Sequence, residues 1–491
     1  MAQEFEAVIG LEVHCQLSTN SKIFCGCRTR SEDGKSVGEI GPNANTCPVC
    51  SGHPGTLPVL NKKVVEYAIK AGLATNCTIN LKNIFARKNY FYPDLPRGYQ
   101  ISQYDQPICE HGHLNIETQA GAKRVRIERI HMEEDAGKNV HMTGYSVVNL
   151  NRAGVPLVEI VSSPDMRTSE EAGAYLRALY AVVTYLGICD GNMQEGNFRC
   201  DANVSVMPKG AAKFGTRAEI KNVNSFRFVE KAIDFEITRQ IDLVQSGGKV
   251  VQETRLYDST KNATFSMRSK EEAHDYRYFP EPDLIPLKLE QAWVDQIKTT
   301  LPELPEQKRA RFVKEYGLSA DVAAVLTLSQ ATALGFSRTM EVIHVVEATK
   351  VLALAKPAAN LFAGEITRLL NDDGIDFNQS KVTPEHIAEI AKMIDANELS
   401  STGAKQVIGI AWKSGEKVSD IVDREGLKQV SDLGSIEPAV DAVLKANPAQ
   451  VADFKAGKDK LIGFFVGQVM KATGGKANPG IIQELIKKKL S

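Results

Sequence analysis

The sequence predicts an α+β chain of more than one domain, and three observations predict it. At 491 residues the chain is too long for a single hydrophobic core. Up to residue 292, runs with period-two alternation mix with helical stretches and polar loop ends, the pattern of helices laid on a mixed or antiparallel sheet. From Trp293 onward the strand signals nearly vanish, and Ala, Lys and Glu at helical spacing take over. The expected domains are 1–292 (α+β), 293–405 (helical) and 406–491 (a second helical domain), with short linkers near 378–383 and 400–403. Hydrophobic residues at 43%, charged residues at 24% and a net charge of −1 describe an ordinary globular chain. That balance excludes a global pull toward nucleic acid, so any RNA contact must use local clusters of Lys and Arg. No apolar run has membrane-spanning length. The opening MAQEFEAVIGLEVHCQL has early acids and no basic leader, so no signal peptide and a cytoplasmic location are expected.

Residues 5–17, FEAVIGLEVHCQL, form the first expected strand. Glu12, His14 and Gln16 alternate with Leu11, Val13 and Cys15, so the polar three share one face. A carboxylate beside an imidazole suits metal binding or proton handling, and equally a wetted strand face. Next come FCGC and CPVC, placing Cys25, Cys27, Cys47 and Cys50 in two close pairs with nineteen residues between them. Two such pairs among nine cysteines fit a reducing compartment and one tetrahedral Zn²⁺ with four thiolate ligands, a closed structural site. Lys62–Ala74 has helical spacing. Residues 87–108, RKNYFYPDLPRGYQISQYDQPI, are a Pro- and Gly-fixed loop. Its interleaved basic and aromatic residues suit phosphate and base contacts, or an aromatic core with a charged rim.

Residues 127–138, IERIHMEEDAGK, organise the chain. The strand pattern sets Val125, Ile127 and Arg129 on one face and Arg126, Glu128 and Ile130 on the other, then runs into His131, Glu133, Glu134 and Asp135. Three consecutive carboxylates call for a cation among them, and Mg²⁺ is the usual choice beside phosphate; a solvated acidic turn is the alternative. After a turn at Arg152–Gly154, a strand carries Glu159. Helices are expected at 169–186, capped by Thr168 or Ser169, and at Phe226–Gln245. Between them stand Met193, Glu195, Arg199, Asp201, Asn203 and Ser205, then Lys221. Arg255, Arg268, Lys270, Asp275, Arg277 and Tyr278 make the end of this region dense in charge. Near the C-terminus Lys471, Lys476, Lys487, Lys488 and Lys489, with Gly474 and Gly475, suit contact with a phosphate backbone.

Six motifs in order, VIGLEVHCQL, RKNYFYPDLPRGYQISQYDQPI, RIHMEEDAGK, NRAGVPLVEIVSSPD, GNMQEGNFRCDANVSV and DYRYFPEPDL, resemble the GatB family, the B-type subunits of the bacterial glutamyl/aspartyl-tRNA amidotransferases. The tail resembles the YqeY-like domain of that family. The resemblance implies ATP- and Mg²⁺-dependent conversion of Glu-tRNA(Gln) or Asp-tRNA(Asn) to the amidated forms. It also implies a glutaminase (amidase) partner that supplies ammonia, a small third partner in the same complex, and a tRNA substrate. It further implies catalytic roles for Glu12, Lys88, Glu134 and Asp201, Mg²⁺ ligation by His14, Glu134 and Glu159, and phosphate contacts by Arg152 and Lys221. With its four cysteines the chain resembles the zinc-bearing branch of that family. Two other readings are a non-catalytic zinc-containing RNA binder and a phosphotransferase acting on a small carboxylate. Neither GxxxxGK[ST] nor GxGxxG is present to support a standard nucleotide fold.

Overall fold

A computed structural model describes residues 3–30, 40–269, 276–375, 377–429, 433–455, 458, 461–473 and 477–490. Lys270, Asp275, Gly474, Gly475 and Lys476 lie outside them. The chain forms two compact units, 1–304 and 305–491.

The first unit is built on a nine-stranded sheet. Its order runs Ala263–Ser269, Glu253–Asp258, Ala218–Val223, Phe198–Pro208, Phe5–Gln16, Pro156–Ser162, Gly121–Glu134, Cys109–Thr118, Thr78–Ile79. One neighbouring pair, Ala218–Val223 with Glu253–Asp258, is parallel and the others are antiparallel, so the sheet is mixed as expected. The strand Phe5–Gln16 lies at its centre. Leu11, Val13 and Cys15 are fully buried on one face, beneath the helices, while Glu12, His14 and Gln16 point the other way. The helix Ser169–Tyr185 begins at Thr168, whose hydroxyl accepts the Glu171 N–H, and it buries Tyr175, Leu176 and Leu179 in that core. The helix Lys62–Ala74 adds Val64, Val65, Ala68 and Ile69, and Phe226–Gln245 adds Val229, Ala232 and Ile233. One face of the sheet is thus committed to hydrophobic burial, which leaves the other to carry the polar residues.

The strand Gly121–Glu134 departs from strict alternation. Its register against Pro156–Ser162 shifts where Val161 faces Arg129 and Ser162 faces Ile127. The irregularity turns Ile130 and Met132 into the core beside Val125 and Ile127. Ile130 therefore does not share a face with Arg126 and Glu128, contrary to the sequence pattern.

Two expected boundaries move. The helix Gln291–Thr299 buries Val294 and Ile297 in the first unit's core, so that unit ends at 304 rather than 292. Residue 406 lies inside the helix Ser401–Ser414, and 400–403 is not a linker but the capped start of that helix, where Ser400 accepts the Gly403 N–H. The second unit is helical, and its last helices hold a separate core around Ile436, Val440, Phe465, Val469, Ile482 and Ile486. Among the tail lysines, Lys489 is paired on the surface of this bundle with Glu437 (2.8 Å) and Asp441 (2.7 Å), whereas Lys471 and Lys488 are exposed. Among the described residues no helix is long and apolar enough to cross a membrane.

Candidate active site

Directly opposed residues in an antiparallel sheet point to the same side, so the register alone assembles a site. His14 faces Arg199 on one neighbouring strand and Glu159 on the other, and Glu159 faces His131 on the next. One rung across four strands therefore reads Arg199, His14, Glu159, His131. The rung beside it carries Gln16, Leu157 and Glu133, and the rung on the other side carries Asp201, Glu12 and Val161.

Side-chain geometry follows from this register. His14 Nε2 lies 3.3 Å from Glu159 Oε2 and 3.7 Å from Glu133 Oε1, and ligand atoms of the three all fall within 4.8 Å of one another. His131 Nε2 lies 3.5 Å from Glu159 and 3.8 Å from Glu133, while its buried Nδ1 has no hydrogen-bond partner among the described residues. Two nearly dry carboxylates so close repel unless positive charge sits among them. Burial pushes both carboxyls up, yet Glu133 is held below its usual range by His131, Lys88 and His14, and Glu159 well below it by His131, His14 and Lys88. Burial disfavours a charged His14, but the contact with Glu159 raises its pKa. Lys88 reaches the cluster from the short strand Ala86–Asn89, its ammonium 5.1 Å from the Tyr276 ring centre. Burial pulls its pKa down, and Glu133, Tyr278 and Glu159 more than reverse this.

Mg²⁺ places octahedral ligands about 2.0–2.1 Å away, hence about 2.9–4.2 Å from one another. The His14–Glu159 and His14–Glu133 separations of 3.3 and 3.7 Å fall in that range, so the three residues suit a divalent cation. Alongside, Asn203 Nδ2 donates to Glu12 Oε1 at 2.9 Å, and Lys221 Nζ reaches Asp201 Oδ2 at 2.5 Å and Glu219 Oε1 at 3.0 Å. Glu12 is raised first by burial, then by Glu159, Glu219 and Asp201, so this end of the face holds more carboxylate than cation. A cleft of about 400 Å³ opens beside Arg199 and Asp201, walled also by Gln16, Met193, Asn197 and Asn222. The buried Nε of Arg199 has no hydrogen-bond partner among the described residues.

Glu134 is the residue that the structure moves. As Glu133's neighbour on a strand it points to the opposite face. There its carboxylate accepts the Ile101 N–H (2.9 Å) and pairs with Arg97, and its backbone carbonyl accepts from Gln100 (2.7 Å). It does not meet His14 or Glu159; Glu133 does. Arg152 lines the cleft, and its guanidinium donates to the carbonyls of Ala136 (3.0 Å) and Gly137 (2.7 Å) and sits 3.5 Å from Asp135. Asp135, which in addition meets Arg199 at 3.2 Å and accepts from Gln16 at 2.7 Å, ties this turn to the rung. Glu12, His14, Lys88, Glu159, Asp201 and Lys221 line the polar face as a group. Glu133, His131 and Arg199 carry no role in what the resemblance implies, although period two from Arg129 already marks His131 and Glu133 as face-mates.

Cys25, Cys27, Cys47 and Cys50 also converge, their sulfurs within 4.8 Å of one another and Cys50 Sγ 4.0 Å from Cys27 Sγ. A Zn–S bond of about 2.3 Å implies sulfurs about 3.8 Å apart in a tetrahedron, so the set fits Zn²⁺. A hydrogen bond from the Cys25 thiol is the main reason that the Cys50 thiol is pulled down to about 4, with the Cys47 N–H and Lys22 assisting. Lys22 is fully buried and donates to Cys50 Sγ at 3.5 Å and Asn45 O at 3.1 Å. No carboxylate pairs with it among the described residues, and a thiolate cluster supplies the missing negative charge.

Residues 7–295 match the GatB/GatE catalytic domain and 344–490 the GatB domain. Among curated proteins, the B subunit of the aspartyl/glutamyl-tRNA(Asn/Gln) amidotransferase of Trichlorobacter lovleyi is 58% identical over 488 residues, covering 99% of both chains. The proteins of the same name from Solidesulfovibrio magneticus (57% over 488 residues, 99% of both chains) and Syntrophotalea carbinolica (56% over 492 residues, 100% of both) are similarly close. With catalytic-domain and tail matches in the same order and relatives aligned end to end, the chain is an amidotransferase subunit, a member of the GatB family of aspartyl/glutamyl-tRNA(Asn/Gln) amidotransferases.

Proposed function

We propose that this chain binds a tRNA misacylated with glutamate or aspartate and converts the side-chain carboxylate to an amide at the face around His14, Glu133 and Glu159. The single observation that carries this reading is the convergence of two buried carboxylates and two imidazoles from adjacent rungs, beside Lys88 and next to a cleft. A carboxylate resists ammonia because it is an anion without a good leaving group. One of its oxygens attacks the γ-phosphorus of ATP, the bond to the β-phosphate bridge breaks, and ADP departs. Ammonia then attacks the acyl carbon, inorganic phosphate leaves, and a proton is given up from nitrogen.

His14, Glu133 and Glu159 would hold Mg²⁺, which supplies charge neutralisation for phosphoryl transfer. Arg199 lines the cleft, and Lys221, held by Asp201 at its edge, stands next to it, so both attract the nucleotide's phosphates. Arg152 braces the Asp135–Gly137 turn and lines the same cleft, within reach of the nucleotide's phosphates. Lys88 offsets the charge of the substrate carboxylate, and Glu12, whose pKa is raised, is suited to take the proton that ammonia releases. Zn²⁺ on the four cysteines is structural, because all four positions are filled by protein. Ammonia comes from a glutaminase partner, and a small third protein makes up the assembly.

The test is the assembled complex with ATP and charged tRNA. ATP consumption should depend on misacylated tRNA, and amide should form with either glutamine or free ammonia. tRNA binding with no ATP turnover would assign the chain to RNA binding alone.

A further inference from the structure

Tyr104 and Tyr278 stack face to face, ring centres 4.1 Å apart and planes 4° from parallel. They belong to distant parts of the chain, so the fold, not local sequence, makes the pair. Tyr104 is 57% exposed. An aromatic ring this open forgoes burial that would stabilise the protein. Behind it the stack leads inward: Tyr278 meets Tyr276 edge-on at 5.9 Å, Tyr276 meets Tyr90 at 5.9 Å, and Lys88 lies over Tyr276 at 5.1 Å. The pair therefore connects solvent to the lysine of the candidate active site. Beyond Tyr104 a groove continues past Arg129, Arg126 and Arg124. Arg126 is taken by Asp165 at 2.7 Å, and Glu110, Glu128 and Asp105 also line the groove, so it carries no large positive charge. Binding here must rest on stacking more than on phosphate attraction.

We propose that the open face of Tyr104, held flat by Tyr278, is the stacking platform for the nucleobase at the 3′ end of the tRNA. This rests on the reading that the substrate is an aminoacylated tRNA. There the amino acid is esterified to the terminal ribose, so the base next to it must lodge close to the reacting carboxylate. Every base has a π-face, and an aromatic platform holds it with little sequence demand. The adenine of ATP shares that chemistry. The amide-rich cleft beside Arg199 and Asp201 already offers ATP a place on the other side of the rung, which leaves the tyrosine platform to the tRNA.

The experiment compares wild type, Tyr104→Ala and Tyr104→Phe in the assembled complex, varying tRNA and ATP separately. Loss of one stacked base should raise KM for misacylated tRNA about five- to a hundred-fold in Tyr104→Ala, leave KM for ATP unchanged, and be restored in Tyr104→Phe. A tRNA carrying 2-aminopurine at its terminal position should lose fluorescence on binding wild type and Tyr104→Phe, but not Tyr104→Ala. An unchanged KM for tRNA, or equal quenching by all three chains, overturns the proposal. So does a rise in KM for ATP alone, which gives the platform to the nucleotide. A wild-type complex that fails to couple ATP to misacylated tRNA would instead strike the functional reading beneath it.

Discussion

Glu133→Gln is expected to slow amide formation by about two orders of magnitude or more, the loss typical of one strong electrostatic contact in a transition state. The substitution keeps the size of the side chain and an acceptor for the Ser102 hydroxyl, which lies 3.3 Å away. It removes one of the two charges that a hard cation between His14 and Glu159 needs. tRNA affinity should be unchanged, because an anion contributes nothing to phosphate attraction. Glu134→Gln, one residue on, should behave differently. It keeps an acceptor for the Ile101 N–H and loses only its charge toward Arg97, so its rate should stay within about tenfold of wild type while its stability falls. Rates at saturating substrate, with melting curves recorded for both variants, check the contrast. Equal rates for the two would refute the face assignment.

The second large effect is on stability. Arg97→Met should cost about 3 kcal/mol, the loss seen when one partner of a buried ion pair is removed. Glu134 is 3% exposed, and Arg97 is the cation paired with it. Burial already raises the Glu134 pKa, with Arg97 and the Ile101 N–H opposing. Without Arg97 the carboxylate must either take up a proton or pull its strand end toward water, and that strand end carries Glu133. Adding Glu134→Gln to Arg97→Met should recover part of the loss, since a neutral amide tolerates burial better than a lone carboxylate. Urea unfolding of the first transition measures both. A loss below about 1 kcal/mol for Arg97→Met would put the pair among ordinary surface bridges.

Much of the fold was legible because its physics is local. The central strand's alternation, Leu11, Val13 and Cys15 against Glu12, His14 and Gln16, is a period-two signal that tertiary packing had no reason to override. The helices Lys62–Ala74 and Phe226–Gln245 occupy the expected residues. Boundaries failed where a helix served a core that the sequence does not reveal: the apolar pair Val294 and Ile297 belongs to the unit before it. In the site, the cysteines are readable because they stand in two close pairs, whereas His14 and Glu159 take their expected roles from the family resemblance. The resemblance points to Glu134, and adjacent carboxylates look alike in the sequence; the strand's face and its register with Leu157 put Glu133, not Glu134, beside His14. Arg199 is no more than one polar residue among several until the register places it opposite His14. The stacked tyrosines lie 174 positions apart, 278 − 104, and no sequence pattern pairs them.

The most direct test of the account is where a divalent cation binds. Crystals of the complex soaked with Mn²⁺ should give an anomalous peak bonded to the His14 imidazole and the carboxylates of Glu133 and Glu159, at about 2.0–2.3 Å as for an octahedral divalent ion. That peak should vanish in Glu133→Gln and persist in Glu134→Gln. A cation coordinated by Glu134, or none at this rung in the presence of nucleotide, would contradict it.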